Sequence, residues 1–215
     1  MEHSTRQLRV KENELINSLF EENRGALETY AGLLIWWNSK INLVSRDVSR
    51  ETVLLHVKHS LFVALSESFF FSNSLIDTGA GGGLPGIPLA ICFPKKKFLI
   101  NDIVAKKIFA VNDMINKLGL RERVEGTIGD VGSLDLDGVG TVVTKHAFKL
   151  DQLYGLIEEK PWGKLVFLKG YEEAINESKS LRGKVKINII KLDSEFMPSF
   201  YNGKGLVEVE RISHE

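Results

Sequence analysis

Cysteine is nearly missing from this chain. Cys92 stands alone among 215 residues, so no internal disulfide is available and a reducing compartment is expected. A net charge is missing as well. Lysine plus arginine and aspartate plus glutamate balance at 28 each, which argues against a protein that grips nucleic acid through one global basic field. Local basic patches remain open. No apolar run reaches the length of a membrane span, and the opening stretch MEHSTRQLRVKENE is too charged for a secretion signal. No repeat or low-complexity linker interrupts the chain. These absences lead to the expectation of a soluble cytoplasmic protein, one compact unit, with no membrane partner. At 43% hydrophobic residues it can bury a full core, and Cys92, in the apolar run after Pro88, reads as part of that core.

What is present is concentrated between Leu75 and Gly86, in LIDTGAGGGLPG. A short apolar run stops at Asp77, glycines follow at 79, 81, 82 and 83, and Leu84, Pro85 and Gly86 lead into a second apolar segment, IPLAICF. That order is a buried strand, a tight loop and a helix start, with Pro85 near the first turn, where its missing N–H is harmless. Glycines allow positive φ there and let a ligand approach the backbone, while the helix N-terminus adds unpaired N–H groups. Two frames compete. Gly81, Gly83 and Gly86 spell GxGxxG, the dinucleotide fingerprint, with Asp102 near the distance for a ribose contact. Asp77-x-Gly79-x-Gly81-x-Gly83 instead puts an acid at the strand end before the glycines. An acid there suits the amine and sulfonium of S-adenosylmethionine and repels a pyrophosphate. The second frame is preferred.

Residues 11–70 read as helical. Tyr30, Leu33, Leu34, Trp37 and Ile41 form one apolar stripe, and Ser49 is placed to cap a helix over 50–65. From Leu75 strand-like and helix-like segments alternate: strands near 97–102, 123–130, 141–148, 164–170, 186–193 and 206–212, with helices over 105–118, 149–160 and 171–181. Such alternation predicts an α/β fold, a doubly wound, mostly parallel seven-stranded sheet. With no helix between the last two strands, the final one should run antiparallel. This is the Rossmann-like layout of an S-adenosylmethionine-dependent methyltransferase, with residues 1–70 as a helical extension and 71–215 as the cofactor-binding domain.

Polar residues gather at the strand ends, where ligands of such sheets bind. The cofactor set comprises Asp77, Gly79, Gly81, Gly83, Leu84 and Pro85 of the loop, Asp102, Ile128, Gly129 and Asp130, and His146. Asp102 suits two ribose hydroxyls, and Asp130 suits an adenine amino group or a helix cap. Lys145, His146 and Lys169 are the catalytic candidates. Arg46, Arg50, His56, Lys58, Lys106, Lys107 and Lys149 are the candidates for an RNA-facing patch. No metal is expected.

WWNSKINLVS (36–45), LLHVKHSL (54–61), DTGAGGGLPGIPLAI (77–91), NDIVAKKIFAV (101–111), the strand into His146-Ala147-Phe148, and LKG (168–170) are specific pieces. Through them the chain resembles, over nearly its whole length, the small-subunit rRNA guanine-N7 methyltransferase family, also called the glucose-inhibited division protein B family. The resemblance implies methyl transfer from S-adenosylmethionine to N7 of a guanine in 16S rRNA. It also implies the small ribosomal subunit as partner and a cofactor pocket lined by Gly79, Gly81, Asp102 and Asp130, and a monomer is expected. Three positions depart from the family pattern: His59 replaces an aspartate, and Ile128 and His146 each replace an arginine. Methyl transfer to another RNA or to a small molecule, and a silent ribosome-binding factor, stay open alternatives.

Overall fold

The apolar pattern from Leu75 onward has its counterpart in strands buried on both faces. The structure, a computed structural model, describes residues 2–45 and 48–212. At its N-terminus β1 (Glu2–Gln7) is followed by helices α1 (Val10–Glu22), α2 (Arg24–Asn38) and α3 (Arg50–Ser60). Ser49 caps α3, its Oγ accepting from the Thr52 N–H at 3.1 Å. A 3-10 turn over Leu61–Leu65 and the short α4 (Glu67–Phe71) lead into the alternating part. There the order is β2 (Ser74–Thr78), α5 (Gly86–Cys92), β3 (Lys97–Asp102), α6 (Ala105–Lys117), β4 (Val124–Ile128), β5 (Thr141–Lys145) and α7 (Leu150–Ile157). The chain closes with β6 (Lys164–Gly170), α8 (Tyr171–Ser178), β7 (Val185–Lys191) and β8 (Lys204–Arg211).

The strands form one sheet in the order β1-β7-β8-β6-β5-β2-β3-β4. Only β8 runs antiparallel, to both β6 and β7, as the missing crossover helix requires. Among the described residues the sheet has eight strands rather than seven. The extra one, β1, pairs in parallel with β7 from Glu2↔Lys186 to Gln7↔Lys191. Its sequence, EHSTRQ, is exposed on nearly every residue, so it carries no apolar alternation to announce it. Main-chain bonds and the forked Arg6–Glu12 contact (2.7 and 2.9 Å) hold it at the edge.

Successive residues of the central strands serve different layers. Leu75, Val143, Val166 and Leu168 face the core under α1, α2, α3, α5 and α6, while Ile76, Val142, Leu165 and Phe167 face α7 and α8. The N-terminal helices therefore complete one layer of the sheet and also clamp its glycine loop. The buried Tyr30 hydroxyl donates to the Gly82 carbonyl at 2.9 Å, and the Trp37 indole N–H donates to Asp113 of α6 at 2.8 Å. Asn38 Oδ1 accepts from the Leu43 and Val44 N–H groups, both at 2.9 Å, shaping the turn that presses on the loop. Strand order reverses beside β2, which places a crevice at its carboxyl end.

Candidate active site

The loop leaving β2 turns through Gly79 (φ 67°), Gly81 (φ 58°) and Gly83 (φ 92°), a conformation L side chains rarely adopt. Gly79 is further constrained, because a Cβ there would lie 2.5 Å from Ala147 Cβ and 3.0 Å from the Phe148 ring. Close approach of the loops after β2 and β5 thus depends on a bare backbone. Pro85 occupies the N-cap position of α5.

Asp77 is expected from its place at the strand end to face the ligand. The structure buries it completely instead, with Oδ2 accepting the Gly86 N–H at 2.7 Å and Oδ1 buried without a partner among the described residues. Its neighbour β-strands and α5 close over it, and burial pushes its carboxyl up to about 8, against the pull of nearby Lys145. It pins the start of α5.

Asp102, only 4% exposed, accepts from Gly81 N–H at 3.0 Å with Oδ2 and from Val104 N–H at 2.9 Å with Oδ1. The Lys107 ammonium stands 3.6 Å away. Each carboxylate oxygen keeps a second lone pair for a hydroxyl. A cavity of about 420 Å³ opens beside it, lined by Thr78, Gly79, Asp102, Asp130 and the apolar Ile103, Val131, Phe148 and Leu156, among others. Asp130 at the rim spends Oδ1 on the Gly132 N–H at 2.7 Å, capping a 3-10 turn over Val131–Ser133. Gly129 (φ 145°) and Asn101 tie this corner, with Asn101 Nδ2 donating to the Gly129 carbonyl at 3.0 Å. Ile128 ends β4 opposite Asp102 with its side chain exposed, outside the cavity lining. Gly81, Gly83, Leu84 and Pro85 also lie outside the lining: they shape the loop, and Gly79 alone of it reaches the cavity. Sequence reasoning missed Ile103, Val131 and Leu156, whose apolar character looks the same in a core as in a pocket wall.

The second part of the site lies at the end of β5. The Lys145 ammonium meets His56 Nδ1 at 3.1 Å, and burial lowers the lysine to about 8. The exposed residue His146 follows with φ 56°, its ring partly desolvated, and its N–H donates to the Leu168 carbonyl at 3.0 Å. Desolvation, with Lys145 next, lowers His146 to about 4 and His56 to about 3. His59, fully buried 6.1 Å from the His146 ring, has no partner at either nitrogen among the described residues and is likewise driven neutral by burial.

Lys169 departs from the expectation of a free cation. It is buried, and its ammonium donates to Glu177 and to the Phe148 carbonyl (3.3 Å), with Glu173 at 3.4 Å. These contacts lock α8 onto β6. The expected RNA patch also divides. Lys106 and Lys149 are exposed at the N-termini of α6 and α7, beside the cavity, and Lys107 leans on Asp102. Arg50 is exposed at the far end of α3. His56 turns inward to Lys145. Lys58, two residues on and about 200° round the helix, sits over the Phe20 ring at 5.8 Å. Arg46 lies outside the described residues.

Among solved structures, an O-methyltransferase from Bacillus cereus in complex with SAH superposes with a TM-score of 0.55 at 13% identity, over 86% of this chain and 91% of that one. That likeness establishes the fold. The family described as GidB, rRNA small subunit methyltransferase G, matches residues 23–204, spanning both the glycine loop and the Lys145 corner. The chain belongs to this family. Curated relatives named "Ribosomal RNA small subunit methyltransferase G" agree. The one from Chlorobium phaeobacteroides is 39% identical over 159 residues, 72% of this chain and 70% of that protein. The one from Bacteroides fragilis is 33% identical over 203 residues, 89% and 94% of the two chains. The family match begins at residue 23, so β1 and all of α1 lie outside it.

Proposed function

We propose that this enzyme transfers a methyl group from S-adenosylmethionine to N7 of a guanine in 16S rRNA of the small ribosomal subunit, in the cytoplasm. The observation that carries the reading is a family match that contains both halves of the site, the acid-lined cavity and the cationic corner. The residues present fit the cofactor. Asp102 has lone pairs free for ribose hydroxyls, Asp130 stands where an adenine edge would be read, and Ile103, Val131 and Leu156 supply apolar walls. When bound, S-adenosylmethionine supplies a methyl group activated by its sulfonium.

Guanine N7 carries a free lone pair and is not protonated at neutral pH, so no general base is required. The chain's task is alignment, since an in-line displacement gains most from fixing the reacting atoms in order. Lys145 has protons to donate to O6, the acceptor next to N7, and holds the base in the plane that this contact defines. His146, exposed on a left-handed turn beside it, is the second contact at that edge. Lys106 and Lys149 flank the opening and meet phosphates. Because Lys145 titrates near 8, methyl transfer is expected to decline as pH rises through that value.

The test incubates the purified protein with small subunits lacking the modification and with methyl-labelled S-adenosylmethionine. Label at a guanine N7, located by chain cleavage at the methylated base, is the expected result. Binding of S-adenosylhomocysteine without label on the subunit would overturn the substrate reading. Label on another RNA only would move the target.

A further inference from the structure

Lys145 is a catalytic candidate that the fold positions through a histidine side chain. Its ammonium can only donate, so the ring nitrogen 3.1 Å away, His56 Nδ1, must accept. That requires a neutral imidazole with its proton on Nε2. The surroundings of His56 enforce this state. Lys145 and His146 face it from β5 and the following loop, Lys204 from the start of β8, and His59 from its own helix. Two acids stand at this corner, Asp77 acting on Lys145 and Glu173 acting on His146. The ring is also wedged: Phe200, on the turn between β7 and β8, meets it edge-on at 4.9 Å, and Lys204 stacks over Phe200 at 4.0 Å. The His56 carbonyl accepts the Ser60 hydroxyl at 3.0 Å, fastening the same turn of α3.

We infer that His56 is a positioning residue, whose Nδ1 acceptor and clamped ring hold the Lys145 ammonium at the base-binding edge of the site. The inference rests on the proposed methyl transfer to guanine, in which Lys145 touches the base. His56 acts without touching substrate: it fixes the direction of Lys145 and absorbs one of its three protons, leaving two for the base. A second consequence concerns charge. The neutral imidazole is a hydrogen-bond acceptor for the charged lysine, and its removal favours the unprotonated amine.

Three substitutions separate this role from simple packing. His56→Asn keeps an acceptor near the place of Nδ1, His56→Gln carries its polar end to the place of Nε2, and His56→Leu offers none. In the full-length protein with unmodified small subunits, His56→Leu and His56→Gln should lower kcat/KM for rRNA by about tenfold or more, the cost of a misdirected contact. KM for S-adenosylmethionine should stay unchanged, and His56→Asn should recover to within about threefold of wild type. The alkaline limb of the pH profile should move to lower pH in His56→Leu and stay in place in His56→Asn. Histidine ring 15N NMR on the wild type should show the Nε2–H tautomer for His56 at neutral pH, with a change on Lys145→Met. Equal losses in the Asn and Leu variants with an unmoved alkaline limb, or an Nδ1–H tautomer, would overturn the inference. If the wild type transfers no methyl group at all, the proposed function fails, while the NMR result still decides whether His56 holds Lys145.

Discussion

Gly79 and Asp102 do unlike work within a few ångströms of the same cavity. Gly79 is there because nothing larger fits. Its φ of 67° disfavours an L side chain by about 1–2 kcal/mol, and a Cβ would meet Ala147 at 2.5 Å. Gly79→Ala is therefore expected to lower the unfolding free energy by about 2 kcal/mol or more, read from urea titration. An unchanged midpoint would mean that the loop after β5 yields freely. Asp102 acts by its acceptors. Asp102→Asn keeps the shape but replaces one acceptor oxygen by a donor facing the Gly81 or Val104 N–H. Charge-assisted bonds are worth about 1.5–3 kcal/mol, so calorimetry should show S-adenosylhomocysteine binding weakened about 10- to 100-fold. Undiminished affinity would remove Asp102 from the ribose.

Helix α2 is the element that makes the N-terminal helices part of the site. Tyr30, Leu34, Trp37 and Asn38 lie on successive turns of one face, and each touches the glycine loop, the turn over it or α6. The fully buried Tyr30 hydroxyl is the direct link. Tyr30→Phe leaves the Gly82 carbonyl unpaired in the core and is expected to cost about 1–2 kcal/mol of stability. Weaker S-adenosylhomocysteine binding should accompany it, since the loop loses its anchor. A variant of wild-type stability and affinity would show that packing alone holds the loop. The stripe containing Tyr30 and Trp37 was readable as helical from spacing, but spacing does not say which helix face meets which loop. β1 shows the opposite limit: a strand made by main-chain pairing at the sheet edge, with side chains that carry no period to read.

Taken together, the histidines behind the Lys145 corner tie overall stability to pH. His56 and His146 titrate near 3 and 4 in the fold, and His59 is driven well below its ordinary value, all chiefly by burial. In an unfolded chain they take up protons near 6.5. The unfolded state thus binds more protons between those values, and stability rises with pH across the window. On acidification it should begin to fall below about pH 6.5 and keep falling to about pH 4, where native His146 also titrates. His59→Phe, which removes one titrating ring and two unpartnered nitrogens, should flatten that acid limb without loss at neutral pH. Melting temperatures measured from pH 4 to 8 check this, and an unaltered slope in the variant would refute it.

Order along the chain was enough to announce the alternating elements, the antiparallel last strand, the glycine loop and the acids at the strand ends. Those features follow from local rules: side-chain period, turn chemistry and the need for a crossover helix between parallel strands. Folding in three dimensions settled which of the polar residues are free to act. Asp77 and Lys169 looked like exposed strand-end groups, yet one is sealed under α5 and the other is bound to α8, because the helix that follows each strand folds back over it, and spacing alone does not show that return. His56 and Lys145 stand 89 residues apart and meet only because α3 packs against the end of β5. Partners supplied by distant segments decide a side chain's charge and availability, and one-dimensional spacing holds no record of them.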